Sequence, residues 1–158
     1  MNGLPAALVL AFLSAGPALG AGEAVRPDVP AEIRLSLDEA VPSPRATVLL
    51  VFFSTGCPSC YDELFEARLA VEKGGWPLTV IGVCQGPPDE LRLFLEKYGW
   101  KLPVVLDRRR RLFRKFGVET VPYKVVLAGE KTLYKDDPYS GYPRRWKELE
   151  ACLAKLFS

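Results

Sequence analysis

Thr47-Val48-Leu49-Leu50-Val51-Phe52-Phe53-Ser54-Thr55-Gly56-Cys57-Pro58-Ser59-Cys60 is the stretch from which the fold and chemistry of this 158-residue chain are read. Its first half, Thr47 to Phe53, is a continuous apolar run, the pattern of a strand buried on both faces of a largely parallel sheet. From Pro58 to about Lys73 the apolar positions Cys60, Leu64, Ala67 and Val71 fall at helical spacing, and Gly74-Gly75 ends the pattern. Cys57 is therefore delivered by a strand to a helix N-terminus, where free backbone N–H groups and the positive dipole end favour a thiolate. It is expected to be the exposed nucleophile. Cys60, three residues on, is expected to be the shielded resolving thiol, near enough to close a small disulfide loop. Pro58 suits the first turn, where its missing N–H would have no helical partner, and Ser59 adds no charge between the sulfurs.

Half a zinc site and an inert structural bridge are the competing readings of Cys57-x-x-Cys60. A tetrahedral zinc needs about four N or S ligands. The chain has no His, and Cys84 and Cys152 are distant singletons, so no metal and no cofactor is expected. The strand–CxxC–helix context is the one that redox chemistry uses.

Outward from this centre the pattern alternates between the two periods. Ile33 to Leu37 reads as an edge strand, Leu78 to Val83 as a strand, Pro87 to Tyr98 as a helix, Pro103 to Leu106 as a strand and Arg108 to Phe116 as a short basic helix. Two strands, Tyr123 to Leu127 and Thr132 to Tyr134, flank a turn containing Gly129. A last helix from Pro143 to Phe157 carries Trp146, Leu149, Cys152, Leu153 and Leu156 as an apolar stripe. This order predicts one layered α/β domain over residues 46–158, preceded by a Pro-containing lead-in at 21–45.

Residues 1–20 read as a signal peptide: no charge, a mostly apolar core from Leu4 to Leu13, and Ala18-Leu19-Gly20 as a cleavage site. An uncleaved anchor over residues 4–20 is the alternative, because no Lys or Arg precedes the core. Either way the domain is expected to be exported, to the periplasm or an equivalent oxidising compartment. The net charge of +2 gives no reason to expect nucleic acid or an anionic membrane as partner. Arg108 to Arg111, Arg114 and Lys115 read as a solvated helix face, with docking of an acidic redox partner as the lesser reading.

At this point the chain resembles the thioredoxin superfamily, and within it the exported TlpA/ResA type of thiol-disulfide oxidoreductase. The resemblance runs from about Leu35 to the C-terminus. It rests on Phe52 to Cys60, on Leu102-Pro103-Val104-Val105-Leu106-Asp107 after an inserted helix, and on Phe116-Gly117-Val118-Glu119-Thr120-Val121-Pro122. It implies a thioredoxin-like fold, a central mixed sheet flanked by helices with the extra helix–strand insertion at 87–107, and a cis Pro122 facing the disulfide. A cis X-Pro bond is accessible at about 0.5–1 kcal/mol, and it would turn the Val121 backbone toward an extended substrate chain.

Glu63 matches the acidic residue that ResA-type proteins carry three residues after the second cysteine. At i+3 from Cys60 it could accept that thiol's proton; the plain reading is a surface glutamate. Two positions depart from the family pattern. Gly56 replaces an aromatic residue before the first cysteine, removing a contact surface for substrates. Lys124 replaces an apolar or hydroxyl residue two positions after Pro122. Its stem is expected to snorkel to solvent, the alternative being that it points at the Cys60–Glu63 region. Cys84 and Cys152 are expected to be small buried hydrophobes, unbridged.

The resemblance implies a protein-disulfide reductase: Cys57 attacks a substrate disulfide and Cys60 releases the reduced product. It implies apocytochrome c during cytochrome c biogenesis, or other exported proteins, as substrates, and a membrane electron donor for recycling. Pro58-Ser59 lacks the His that strongly oxidising relatives place between the cysteines. A peroxiredoxin-like peroxidase is the rival enzyme, although Thr55 lies one residue too close to Cys57 for its Thr-x-x-Cys spacing. A copper or redox-partner binding module is the non-enzymatic rival, disfavoured by the lack of His and the single Met.

Overall fold

The computed structural model describes residues 33–158. The expected signal peptide and most of the lead-in lie outside these residues. Eleven elements follow in the order β1 (Ile33–Arg34), α1 (Leu37–Ala40), β2 (Thr47–Ser54), α2 (Cys60–Gly74), β3 (Thr79–Gln85), α3 (Pro88–Tyr98), β4 (Val104–Leu106), α4 (Arg111–Phe116), β5 (Tyr123–Ala128), β6 (Lys131–Lys135) and α5 (Tyr142–Leu156). The strands form one sheet in the order β1-β4-β3-β2-β5-β6, parallel from β1 to β2 and antiparallel at β5 and β6. The mixed sheet and the α3–β4 insertion are those the resemblance implies.

β2 lies inside the sheet, paired with β3 and β5, and its alternate residues feed two cores. Leu49, Val51 and Phe53 pack with Cys60, Leu64, Ala67, Leu91, Leu149 and others from α2, α3 and α5. Val48, Leu50 and Phe52 pack on the opposite face with Phe113 and Phe116 of α4. That double burial is why the strand is apolar without alternation. Truncating Leu64, which is fully buried, to Ala would cost about 2–5 kcal/mol.

Two element boundaries differ most from the sequence expectation, each for a local reason. The edge strand ends at Arg34 because Ser36 caps α1: its hydroxyl accepts from the Glu39 N–H at 3.4 Å and donates to Glu39 Oε1 at 3.1 Å, and Glu39 Oε2 accepts the Leu35 N–H at 3.2 Å, a variant of the capping box in which the carboxylate reaches back one residue further. α4 begins at Arg111 instead of Arg108. The Asp107 carboxylate accepts the backbone N–H groups of Arg111, Leu112 and Phe113 at 2.8, 2.9 and 3.1 Å, so it fills the role of an N-terminal cap at the positive end of the helix dipole. The chain reaches this geometry through Arg110 at φ 52°. Arg108, Arg109, Arg111, Arg114 and Lys115 are exposed and make no ion pair among the described residues.

Candidate active site

β2 ends at Ser54, and Thr55 and Gly56 carry the chain over the carboxyl edge of the parallel strands to Cys57. The Thr55 hydroxyl donates to Glu90 Oε2 on α3 at 2.8 Å, which ties this connection to the neighbouring helix. The Cys57 N–H bonds the Ser54 carbonyl and the Cys60 N–H bonds the Cys57 carbonyl, both at 3.2 Å. The turn so formed precedes α2, which begins at Cys60, two residues later than the Pro58 start expected from spacing. Cys57 and Cys60 are disulfide-bonded across a Cα separation of 5.4 Å, inside the usual range for such a bridge. Cys57 is partly exposed while Cys60 is fully buried. Solvent therefore meets the first sulfur and not the second.

The Val121–Pro122 peptide is cis. β5 starts at the next residue, with Tyr123 opposite Phe52 in the antiparallel register. Continuing that register sets Val121 and Pro122 alongside the end of β2 from which Cys57 departs. On the other side of Cys57, a Cβ placed on Gly56 would meet nothing within 4 Å. A groove of about 310 Å³ opens there, lined by Thr55, Gly56, Glu90, Leu93, Phe94, Lys97 and Tyr98.

Glu63 and Lys124 correct the plain readings of both residues. Glu63 is 1% exposed and Lys124 is 0% exposed. β5 is flanked by β2 and β6, and Lys124 shares its face with Val126 beneath α2 and α5, so its stem has no route to solvent. Instead Lys124 Nζ pairs with Glu63 Oε1 and, at 3.0 Å, with Asp136 Oδ2. It also lies 4.8 Å from the centre of the Trp146 ring.

The surrounding contacts complete a polar cluster that the sequence reading did not find. Trp146 Nε1 donates to Glu63 Oε2 at 3.3 Å. Asp136 accepts from the Lys124 backbone N–H at 2.9 Å and from the Tyr134 hydroxyl at 2.7 Å. Burial first, and then its bond to Asp136, push the Tyr134 phenol well above its ordinary value. Arg145 Nη1 lies 3.6 Å from Asp136 Oδ2 and donates to the Pro122 carbonyl at 3.3 Å. Lys124, the single charge inside the apolar run Tyr123 to Leu127, was the available signal. Asp136, Tyr134 and Arg145 carried none.

The remaining cysteines take no part in the disulfide. Cys84, opposite Phe53 in the sheet, is buried, and burial pushes its thiol up to about 12. Cys152 is raised by burial as well. Both thiols are free and unbridged. Among the described residues, no three His, Cys, Asp or Glu side chains stand together so as to hold a metal ion, and no helix is long and apolar enough to cross a membrane.

The AhpC/TSA family model matches residues 31–135. No curated protein matches the chain significantly. The thioredoxin domain of a thiol-disulfide oxidoreductase from Bacteroides vulgatus superposes with a TM-score of 0.58 at 16% identity, covering 78% of this chain and 86% of that one. A secreted Mycobacterium tuberculosis disulfide oxidoreductase homologous to Escherichia coli DsbE gives 0.55 at 17% identity, over 75% and 85% of the two chains. A thioredoxin-like protein from Aeropyrum pernix gives 0.53 at 22% identity, over 72% and 80%. At these identities the likeness establishes a thioredoxin-like fold.

Proposed function

The chain belongs to the AhpC/TSA family, and we propose that within it the protein works as an exported dithiol–disulfide oxidoreductase that reduces protein disulfides. The observation that carries this reading is the Cys57–Cys60 disulfide at the strand-to-helix junction, with one sulfur partly exposed and the other buried. In the reduced protein the Cys57 thiolate attacks a substrate sulfur and forms a mixed disulfide. Cys60 then attacks Cys57, and the substrate leaves as a thiolate. Pro122 is proposed to present the backbone beside it to the substrate chain as an added strand.

Reduction is favoured over oxidation because Pro58-Ser59 places no cation between the sulfurs to stabilise the reduced form. Export is supported by the character of residues 1–20 and by the fold shared with a secreted disulfide oxidoreductase. Apocytochrome c is the proposed substrate and an integral membrane dithiol protein the proposed electron donor. Support for the dithiol reading over a peroxidase comes from Thr55, whose hydroxyl donates to Glu90 and so is not committed to a peroxide at Cys57.

The test is a trap. In Cys60→Ser, incubation with a periplasmic extract should accumulate a Cys57-linked mixed disulfide that dithiothreitol releases and mass spectrometry identifies. Absence of any adduct, together with peroxide consumption through a Cys57 sulfenate, would replace the reductase reading by the peroxidase one.

A further inference from the structure

Four charged side chains, Glu63, Lys124, Asp136 and Arg145, form a continuous chain of contacts whose charges cancel. It runs from Glu63 to Lys124, from Lys124 to Asp136 at 3.0 Å, from Asp136 to Arg145 at 3.6 Å, and from Arg145 to the Pro122 carbonyl at 3.3 Å. One end is the carboxylate that shares the buried face of α2 with Cys60, and the other is the carbonyl of the cis proline. The cluster thus spans both halves of the candidate site. Taking such charges out of water is costly, and apolar packing of similar volume usually serves stability as well or better. Stability alone therefore does not account for the cluster.

Each oxygen of Glu63 already accepts one donor, Lys124 Nζ at Oε1 and Trp146 Nε1 at Oε2. A carboxylate offers about four lone-pair sites, so acceptor capacity remains on a side chain that lies one turn from Cys60 on the buried face of α2. The ammonium and the indole fix where that capacity points.

Resting on the dithiol–disulfide reading above, we propose that Lys124 is a positioning residue for the resolving half-reaction: anchored by Asp136, it holds the Glu63 carboxylate ready to take the Cys60 proton. In that step the proton on Cys60 passes to Glu63, and the Cys60 sulfur bonds to Cys57 Sγ. The bond from Cys57 to the substrate sulfur breaks, and its electron pair departs with the substrate thiolate. The protein is oxidised to the disulfide, the substrate is reduced, and the proton on Glu63 is available to the leaving thiolate.

The other groups that bear on this proton are placed unequally. Tyr142 of α5 senses Glu63, Glu66 and Asp62, and Tyr134 and Arg145 act on Asp136. Lys124 is the only one of them that contacts both carboxylates directly. Removing its charge takes away the cation that faces the acceptor, so the resolving step should require a higher pH. The attack by Cys57, which precedes this proton transfer, is left as it was.

The experiment is stopped-flow reaction of the reduced full-length protein with 5,5′-dithiobis(2-nitrobenzoate), which releases one chromophoric thiolate on Cys57 attack and a second on Cys60 resolution. In Lys124→Met the acid limb of the second phase should move up by about 1 pH unit or more, the usual effect of an adjacent opposite charge, with the first phase unmoved. Lys124→Arg should restore it. Lys124→Gln keeps a donor without the charge and should behave as Lys124→Met. Trp146→Phe, which leaves the charges and removes one donor to Glu63, should move the limb the same way by less, and it decides the matter if no Lys124 variant folds. Second-phase profiles that superimpose on the wild type in the folded variants overturn the proposal. A wild type that releases no second thiolate, or a Cys57→Ser variant that still releases both, overturns the oxidoreductase reading instead.

Discussion

Lys124 on β5 and Glu63 on α2 form an ion pair in which neither side chain reaches solvent, at 0% and 1% exposure. Sixty-one residues separate them in sequence, and the pair stitches the helix that begins at Cys60 to the strand that begins after Pro122. Removing one partner leaves a buried charge without its counter-ion. Lys124→Met is therefore expected to lower stability by about 3–5 kcal/mol, read from urea unfolding. The Lys124→Met/Glu63→Gln double variant should recover part of that loss, giving a coupling energy of about 0.5–3 kcal/mol in a double-mutant cycle.

Asp107 gives a second stability prediction on different physics. Its carboxylate accepts three backbone N–H groups at the start of α4. Asp107→Ala leaves them without that acceptor and should cost about 1–2 kcal/mol. Asp107→Asn, which keeps an oxygen but loses the charge at the helix N-terminus, should cost less. Thermal melts of the two variants at matched pH check the order.

Cys84 should be chemically silent in the folded protein. Burial raises its thiol to about 12 from a value of 9.0, so at pH 8 iodoacetamide should modify it only after unfolding. The sign of the pH linkage follows: the unfolded thiol ionises above 9.0 while the folded one holds its proton to about 12. The stability it contributes is complete below pH 9 and is lost as pH rises toward 12. Cys84→Ala should flatten the fall in stability across that alkaline window, measured against the wild type.

The residues that settle the fold lie next to one another in sequence, which is why they were legible. The apolar run at Thr47 to Phe53 and the helical spacing from Cys60 to Val71 are local patterns, and their meaning does not depend on distant partners. Ser36 and Glu39 carry the Ser-x-x-Glu signature of a helix start, equally local, and it overrides the alternation from Ile33 to Leu37. Asp107 was visible too, but its effect on the α4 boundary depends on how β4 delivers it to the helix end.

The polar cluster is a different case. Nothing in the spacing of Glu63, Lys124, Asp136 and Arg145 marks them as neighbours, because α2, β5, β6 and α5 meet only through the sheet order. Lys124 snorkels only if its strand is at an edge or its face is bare. β5 has strands on both sides and helices above, and those facts belong to the tertiary structure.

The central claim is that Cys57 and Cys60 form a reversible two-electron couple suited to reducing other disulfides. Equilibration of the full-length protein with glutathione redox buffers, followed by alkylation and mass measurement, tests it most directly. The account predicts a single two-electron transition near the thioredoxin value of about −270 mV, abolished in both Cys57→Ser and Cys60→Ser. A potential near the strongly oxidising value of about −120 mV, or a disulfide that does not exchange with glutathione at all, would contradict it.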